Sequence, residues 1–148
     1  MSIALYPARI WREDGVFYVQ FLDLENGFTF GDTLEEAKTM AADVLSALLE
    51  SALQHNEDTP EPSAEMAPSQ TCEHKGGDIY SIAPGPKVQQ ALLLRKVRGQ
   101  RSQNEMASAI GITLERYRQF EEASAGASLI ILQKAFKESG KELVIEAR

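Results

Sequence analysis

Two hydrophobic periods divide this chain. Residues 6–12 (YPARIWR) and 16–21 (VFYVQF) alternate and are rich in aromatic and β-branched side chains, the pattern of half-buried strands. Asp14 and Gly15 between them are a turn signal, so the pair reads as a hairpin. Residues 23–27 (DLENG) form a loop with a turn-prone Asn-Gly end, residues 28–30 a short third strand, and Gly31 and Asp32 end it. The period then changes to that of a helix. Thr33 and Glu36 make a capping box, and Glu35 and Glu36 suit the positive end of the helix dipole. Leu34, Ala37, Ala41, Val44, Leu45, Leu48 and Ala52 fall on one face, wide enough to cover one side of a small sheet, and the helix is expected to run to about Gln54. Residues 55–77 carry Pro60, Pro62 and Pro68 among scattered Ser and Thr, which predicts a mobile linker or long loop. Residues 78–82 (DIYSI) read as a fourth strand returning to the sheet.

Pro84, Gly85 and Pro86 make a stiff break and the best domain boundary. Residues 87–99 follow as a helix with Val88, Ala91, Leu92, Leu94 and Val97 on its apolar side. Residues 102–122 (SQNEMASAIGITLERYRQFEE) then read as two short helices with one tight turn. Ser102 and Glu105 form a capping box; Met106, Ala107 and Ile110 face inward; Gly111 supplies a left-handed residue at the break. Ile112 is a buried plug, Thr113 caps the second helix, and Tyr117 and Phe120 form its inner face. Small, apolar, Gly, apolar, then apolar at turn spacing is the steric recipe of a helix-turn-helix. Ser128 caps a last helix holding Leu129, Leu132, Ala135 and Phe136, ended by Gly140. Leu143, Val144 and Ile145 form an apolar tail with strand character, which either joins a dimer interface or is buried within its own domain.

A helix-turn-helix lays its second helix in the DNA major groove. Leu114, Glu115, Arg116, Arg118, Gln119 and Glu122 face outward on that helix. Arg118 and Gln119 have the bidentate geometry that reads base edges. Gln103 and Arg116 are better placed for phosphates, and Thr113 and Glu115 complete the expected DNA-facing set. The competing reading is a helical hairpin that packs and binds nothing. Because one recognition helix covers only a half-site, DNA binding implies at least a dimer, or a dimer of dimers.

Charge sharpens this division. The net charge of −7 argues against nucleic acid, but its distribution does not. Residues 1–86 hold 4 Lys/Arg against 15 Asp/Glu, a balance of −11; residues 87–148 hold 11 against 7, a balance of +4. The basic half contains the helix pair. The single cysteine, Cys72, cannot form an internal disulfide, which suits a reducing interior. No apolar run reaches the length of a membrane span, and no signal peptide is evident, so a cytoplasmic location without membrane attachment is expected.

Catalytic chemistry is hard to assemble from this sequence. A metal-dependent nuclease needs several converging carboxylates. Asp14 and Asp32 fall in turns, and Asp23 and Glu25 in a loop. Cys72 and His74 stand two apart in the linker, with His55 the only other histidine, short of the paired spacing that zinc sites use. No phosphate loop or Ser-His-Asp set is present. No catalytic residue, metal ligand or cofactor is therefore expected. Of the aromatic residues Trp11, Phe17, Tyr18, Phe21, Phe28 and Phe30, most are assigned to the core and some to the outer face of the hairpin. An exposed aromatic such as Trp11 would anchor a protein partner.

Several motifs carry a resemblance. Tyr6-Pro7-Ala8 stands at the start, Phe21-Leu22-Asp23-Leu24 follows the second strand, Thr29 to Ala37 (TFGDTLEEA) leads into the helix, and Pro60-Glu61-Pro62-Ser63 comes after it. With this element order the chain resembles the HicB family of antitoxins, and its C-terminal part resembles the phage-repressor-type helix-turn-helix of some members. Leu22-Asp23-Leu24-Glu25-Asn26 stands where the family usually has Pro-Asp-Leu-Pro-Gly, and Leu114 where such repressors often have Arg. The resemblance implies an α+β chain. A small antiparallel sheet with one long helix, a degenerate partial ribonuclease-H-like fold without catalysis, occupies residues 1–83. An all-α helix-turn-helix domain for DNA binding and oligomerisation occupies residues 84–148. It also implies the function: neutralising a small basic HicA-type ribonuclease toxin by covering its catalytic histidine, and repressing the shared operon through operator DNA. Trp11, Asp23 and Glu25 are the residues assigned to the toxin. An acidic first half suits a basic partner. The alternative is a stand-alone helix-turn-helix regulator whose N-terminal domain senses a small ligand.

Overall fold

Strands form where side chains alternate, and the turns between them are chemically specified. In this computed structural model, which describes residues 4–62 and 76–144, β1 (Tyr6–Glu13) and β2 (Val16–Phe21) pair antiparallel. Asp14 and Gly15 join them with φ of 51° and 79°. Two positive φ values give the turn whose twist matches that of a hairpin. The register sets Ala8 opposite Phe21, Ile10 opposite Val19 and Trp11 opposite Tyr18. β3 (Phe28–Gly31) pairs with the free side of β2, and β4 (Asp78–Ile82) with the free side of β1. The result is a four-stranded antiparallel sheet in the order β3-β2-β1-β4.

α1 (Leu34–Gln54) packs against β2, β3 and β4. Its start is fixed chemically: the Thr33 hydroxyl accepts from the Glu36 amide at 3.1 Å, and the Glu36 carboxylate accepts from the Asp32 amide at 3.1 Å. Such a cap contributes about 1 kcal/mol. The fully buried stripe is Ala37, Ala41, Leu45, Leu49 and Leu53, so it differs from the expected face. Leu34, Val44, Leu48 and Ala52 lie half-buried on its flank. A straight stripe assumes a flat partner; this one advances in steps of four and winds around the helix, as packing on a twisted sheet requires. Each fully buried leucine there contributes roughly 2 kcal/mol of transfer free energy. Opposite the stripe, Tyr6, Ala8, Ile10, Val19, Phe21 and Ile82 form the inner face of the sheet.

The chain divides into two units, Met1–Gly85 and Pro86–Arg148. The second is all helix: α2 (Pro86–Arg98), α3 (Gln103–Ile110), α4 (Leu114–Glu121) and α5 (Leu129–Glu138). Pro86 occupies the first helical position, where its missing N–H costs nothing. α4 packs on α2 and α3, and α5 packs on the same two helices. Leu94, Met106, Ala107, Ile110, Tyr117, Phe120, Ala127, Leu132 and Ala135 form their common core. Leu92 and Ile112 are half-buried, less enclosed than the spacing suggested. At the start of α5, Leu129 and Ile130 are exposed, while Ile131 packs partly buried against the core. Residues 141–144 take no regular structure, so over its described part the tail is not a strand. Leu143 packs on the core of its own unit, while Ile145 lies outside the described residues.

Candidate functional site

The α3–α4 pair is built by three local devices. The Ser102 hydroxyl accepts from the Glu105 amide at 3.1 Å and starts α3. Gly111 ends it in the left-handed conformation, with φ of 79°, and the Ile112 amide donates back to the Ala107 carbonyl at 3.0 Å. The Thr113 hydroxyl then accepts from the Arg116 amide at 3.2 Å and starts α4. Only residues 111–113 separate the helices, and this brevity holds them at a fixed angle.

Glu115, Arg116, Arg118 and Gln119 are exposed on α4, and Leu114 and Glu122 are half-buried. The Arg116 guanidinium lies over the Phe120 ring, 5.3 Å from its centroid. Gln103 is committed within the unit: its amide nitrogen donates to the Glu121 carboxylate at 2.9 Å, and its carbonyl accepts from Arg118 Nε at 3.4 Å. Arg118 therefore projects from α4 with its guanidinium steadied by α3.

Glu121 is wholly buried, a feature the sequence reading passed over. Arg98 Nε donates to both of its oxygens, at 2.9 and 3.2 Å, and Arg98 Nη1 donates to the Arg101 carbonyl at 2.8 Å. The carboxylate thus ties α2, α3 and α4 together. A buried charge is tolerated only when paired and hydrogen-bonded in this way. Burial, and next the charge of Glu121, push the Tyr117 hydroxyl well above the ordinary tyrosine range. Position 121 stands four after Tyr117, on the inner face, so the helical period does signal it.

In the first unit the alternation of the strands separates the aromatics. Val19 and Phe21 point to α1, and Trp11, Tyr18, Phe28 and Phe30 lie on the opposite face. Trp11 and Tyr18 stack with centroids 5.8 Å apart. Phe28 sits 6.1 Å from Tyr18 and 6.5 Å from Trp11, and Phe30 sits 6.4 Å from Tyr18. Phe28 is 49% and Phe30 58% exposed, so both belong to the outer face rather than to the core. Gln20 faces Phe28 and Tyr18 faces Phe30 across the ladder, which fixes their side.

Asp23 and Glu25 lie in the loop of residues 22–27, which Leu22 and Leu24 pin by burial. Asp23 is half-buried and Glu25 exposed, and the aromatic layer is composed without them. The Tyr6 hydroxyl donates to the Pro60 carbonyl at 2.8 Å. Burial, with Glu61 and Asp23 nearby, pushes its pKa up to about 12. Tyr6 so fastens the chain beyond α1 to the edge of the core. Asp14 and Asp32 are exposed in turns. Among the described residues no three His, Cys, Asp or Glu side chains converge as a metal set. Cys72 and His74 lie outside the described residues, and the His55 Nδ1 is 2.8 Å from the Ser51 carbonyl oxygen. No helix among the described residues is long and apolar enough to cross a membrane.

Residues 5–72 match the family described as "HicB_like antitoxin of bacterial toxin-antitoxin system". The matched span takes in β1 to β3, α1 and the chain beyond it. The whole chain is also similar to a protein of Photorhabdus laumondii named "Antitoxin HicB 2", at 24% identity over 143 residues, covering 96% of this chain and 95% of that protein. Both similarities support an antitoxin of a toxin–antitoxin system.

Proposed function

From the match of residues 5–72 to HicB-like antitoxins, we propose that this chain is the antitoxin of a toxin–antitoxin pair. Its first unit binds and masks a small basic HicA-type ribonuclease, and its second unit represses the operon that encodes both. The observation that carries the reading is the coincidence of that match with the acidic part of the chain. The family signature falls within residues that hold 4 Lys/Arg against 15 Asp/Glu. A field of that sign attracts an RNA-cleaving protein, whose own surface must be basic to hold RNA, and raises the rate of encounter. The unit acts by covering rather than by chemistry, as a degenerate ribonuclease-H-like domain would, and works in the cytoplasm where the toxin meets mRNA.

For the second unit the proposal is a helix-turn-helix of phage-repressor type. The left-handed Gly111, the three-residue turn and the two capped helices support it. α4 enters the major groove, and Arg118 and Gln119 reach base edges. Thr113 and Arg116 line the approach to the backbone, and Glu115 faces the groove. Gln103, at the N-terminus of α3, steadies Arg118 through its carbonyl and turns the second N–H of its amide, the first being held by Glu121, to phosphate. Two copies read two half-sites, so the active form is a dimer or a dimer of dimers.

Arg118→Ala separates the two activities. Loss of one good base contact is worth about 1–3 kcal/mol, so operator affinity is expected to fall roughly tenfold to a hundredfold. Co-elution with the neighbouring basic gene product is expected to persist. Loss of both activities together, with an unchanged melting temperature, would contradict the division of labour.

A further inference from the structure

The two faces of the sheet are packed differently: on the outer one Pro7 and the Trp11 Nε1 are buried, while Phe28 and Phe30 at the β3 edge stay exposed. α1 covers the inner face, where Val19 and Phe21 are fully enclosed. On the other side Trp11, Tyr18, Phe28 and Phe30 pack ring against ring, with Phe28 and Phe30 about half exposed. Phe28 and Phe30, exposed side by side and backed by the half-buried Tyr18 and Trp11, mark a binding surface rather than a stray exposed residue. We propose that this aromatic layer is the surface on which the toxin docks, a placement that rests on the antitoxin reading above.

The layer has the properties of an anchor. Each ring offers on the order of 150–250 Å² to bury. The rings already hold one another in place, so little side-chain freedom is left to lose on binding. The strands beneath them are fixed by ladder pairing on β1 and β2, which are both central. Aromatic clusters of this kind carry most of an interface's binding energy.

Charge selects the occupant. Aromatics on an antiparallel sheet are also a platform on which RNA bases stack. RNA brings phosphates, however, and residues 1–86 carry a balance of −11. Arg9 lies on the same side of β1, but its Nη1 donates to the Gly76 carbonyl at 3.2 Å. A partner with an apolar centre and a basic surround fits both the contact and the field. A basic ribonuclease of the proposed kind supplies the basic surround. The acidic side chains of the unit then steer the encounter, and the rings supply the contact.

The test uses the full chain and the small basic protein encoded beside it, inactivated at its catalytic histidine. Trp11 is the only tryptophan of the chain and lies in the layer, so its fluorescence reports occupancy. The variant Phe28→Thr with Phe30→Thr keeps β-branched residues on the strand and removes two rings. Toxin affinity is expected to fall on the order of a hundredfold or more, two anchors being lost. Should that variant melt early, Phe30→Thr alone, at the more exposed position, is expected to cost about tenfold. Met40→Gln, which removes an exposed apolar residue from α1, is expected to leave affinity unchanged. Retention of affinity by folded ring variants overturns the placement and leaves the antitoxin reading standing. Failure of the unaltered chain to bind the toxin overturns both. A ring-dependent response to an RNA oligonucleotide in place of the toxin, or loss of self-association in place of toxin binding, assigns the face to another occupant and overturns the proposal.

Discussion

Gly31 leaves no room for a side chain. A Cβ built there would lie 2.6 Å from the Ala37 amide nitrogen and 2.9 Å from its Cα. Ala37 is itself fully buried, so the end of β3 and the first turn of α1 are in contact through two of the smallest residues. Asp32, Thr33 and Glu36 complete the junction by capping. The run Gly31 to Ala37 is thus a structural signature: it seats the helix on the sheet. Gly31→Ala is expected to cost about 1–3 kcal/mol, the usual penalty of an atom forced into a packed junction. Chemical denaturation checks it, and an unchanged midpoint would mean that the junction opens at little cost. Much of this was legible, because capping boxes and turn glycines are local chemistry. The crowding at Gly31 was not, since it depends on the angle at which the following helix leaves the strand.

At the scale of elements, the four strands and five helices expected before residue 141 have counterparts, the strand character of the tail does not over its described part, and the other differences lie in which side each element buries. α1 buries Leu49 and Leu53 where Leu48 and Ala52 were expected, because the sheet beneath it twists. Phe28 and Phe30 face out, a result of register that no single strand reveals. α4 buries a carboxylate, Glu121, that pattern reading counts as polar and therefore exposed. Its partners Arg98 and Gln103 come from two other helices, so only the assembled unit explains it. Glu121→Ala would leave the Arg98 guanidinium, whose side chain is 22% exposed, without its carboxylate. The expected loss is roughly 3 kcal/mol, the lower part of the range for breaking a buried pair. Thermal or urea unfolding measures it; a loss below the level of a surface pair would mean that Arg98 finds water instead. Because Gln103 bridges Glu121 to Arg118, the same variant is expected to weaken operator binding as well.

For the whole molecule, two units of opposite charge carry two proposed tasks. The acidic sheet-and-helix unit matches the antitoxin family, and the basic helical unit bears the proposed DNA reader. The charge division and the family signature were both readable from sequence. The aromatic layer was readable only in part, through Trp11, because its other members are set by pairing across strands. The central claim is that the first unit silences a ribonuclease by occupying it. The direct measurement is RNA cleavage by the neighbouring basic protein as this chain is titrated in. The account predicts that cleavage stops near equimolar chain and that the Arg118→Ala variant inhibits equally well. Undiminished cleavage in the presence of a large excess of folded chain would contradict it.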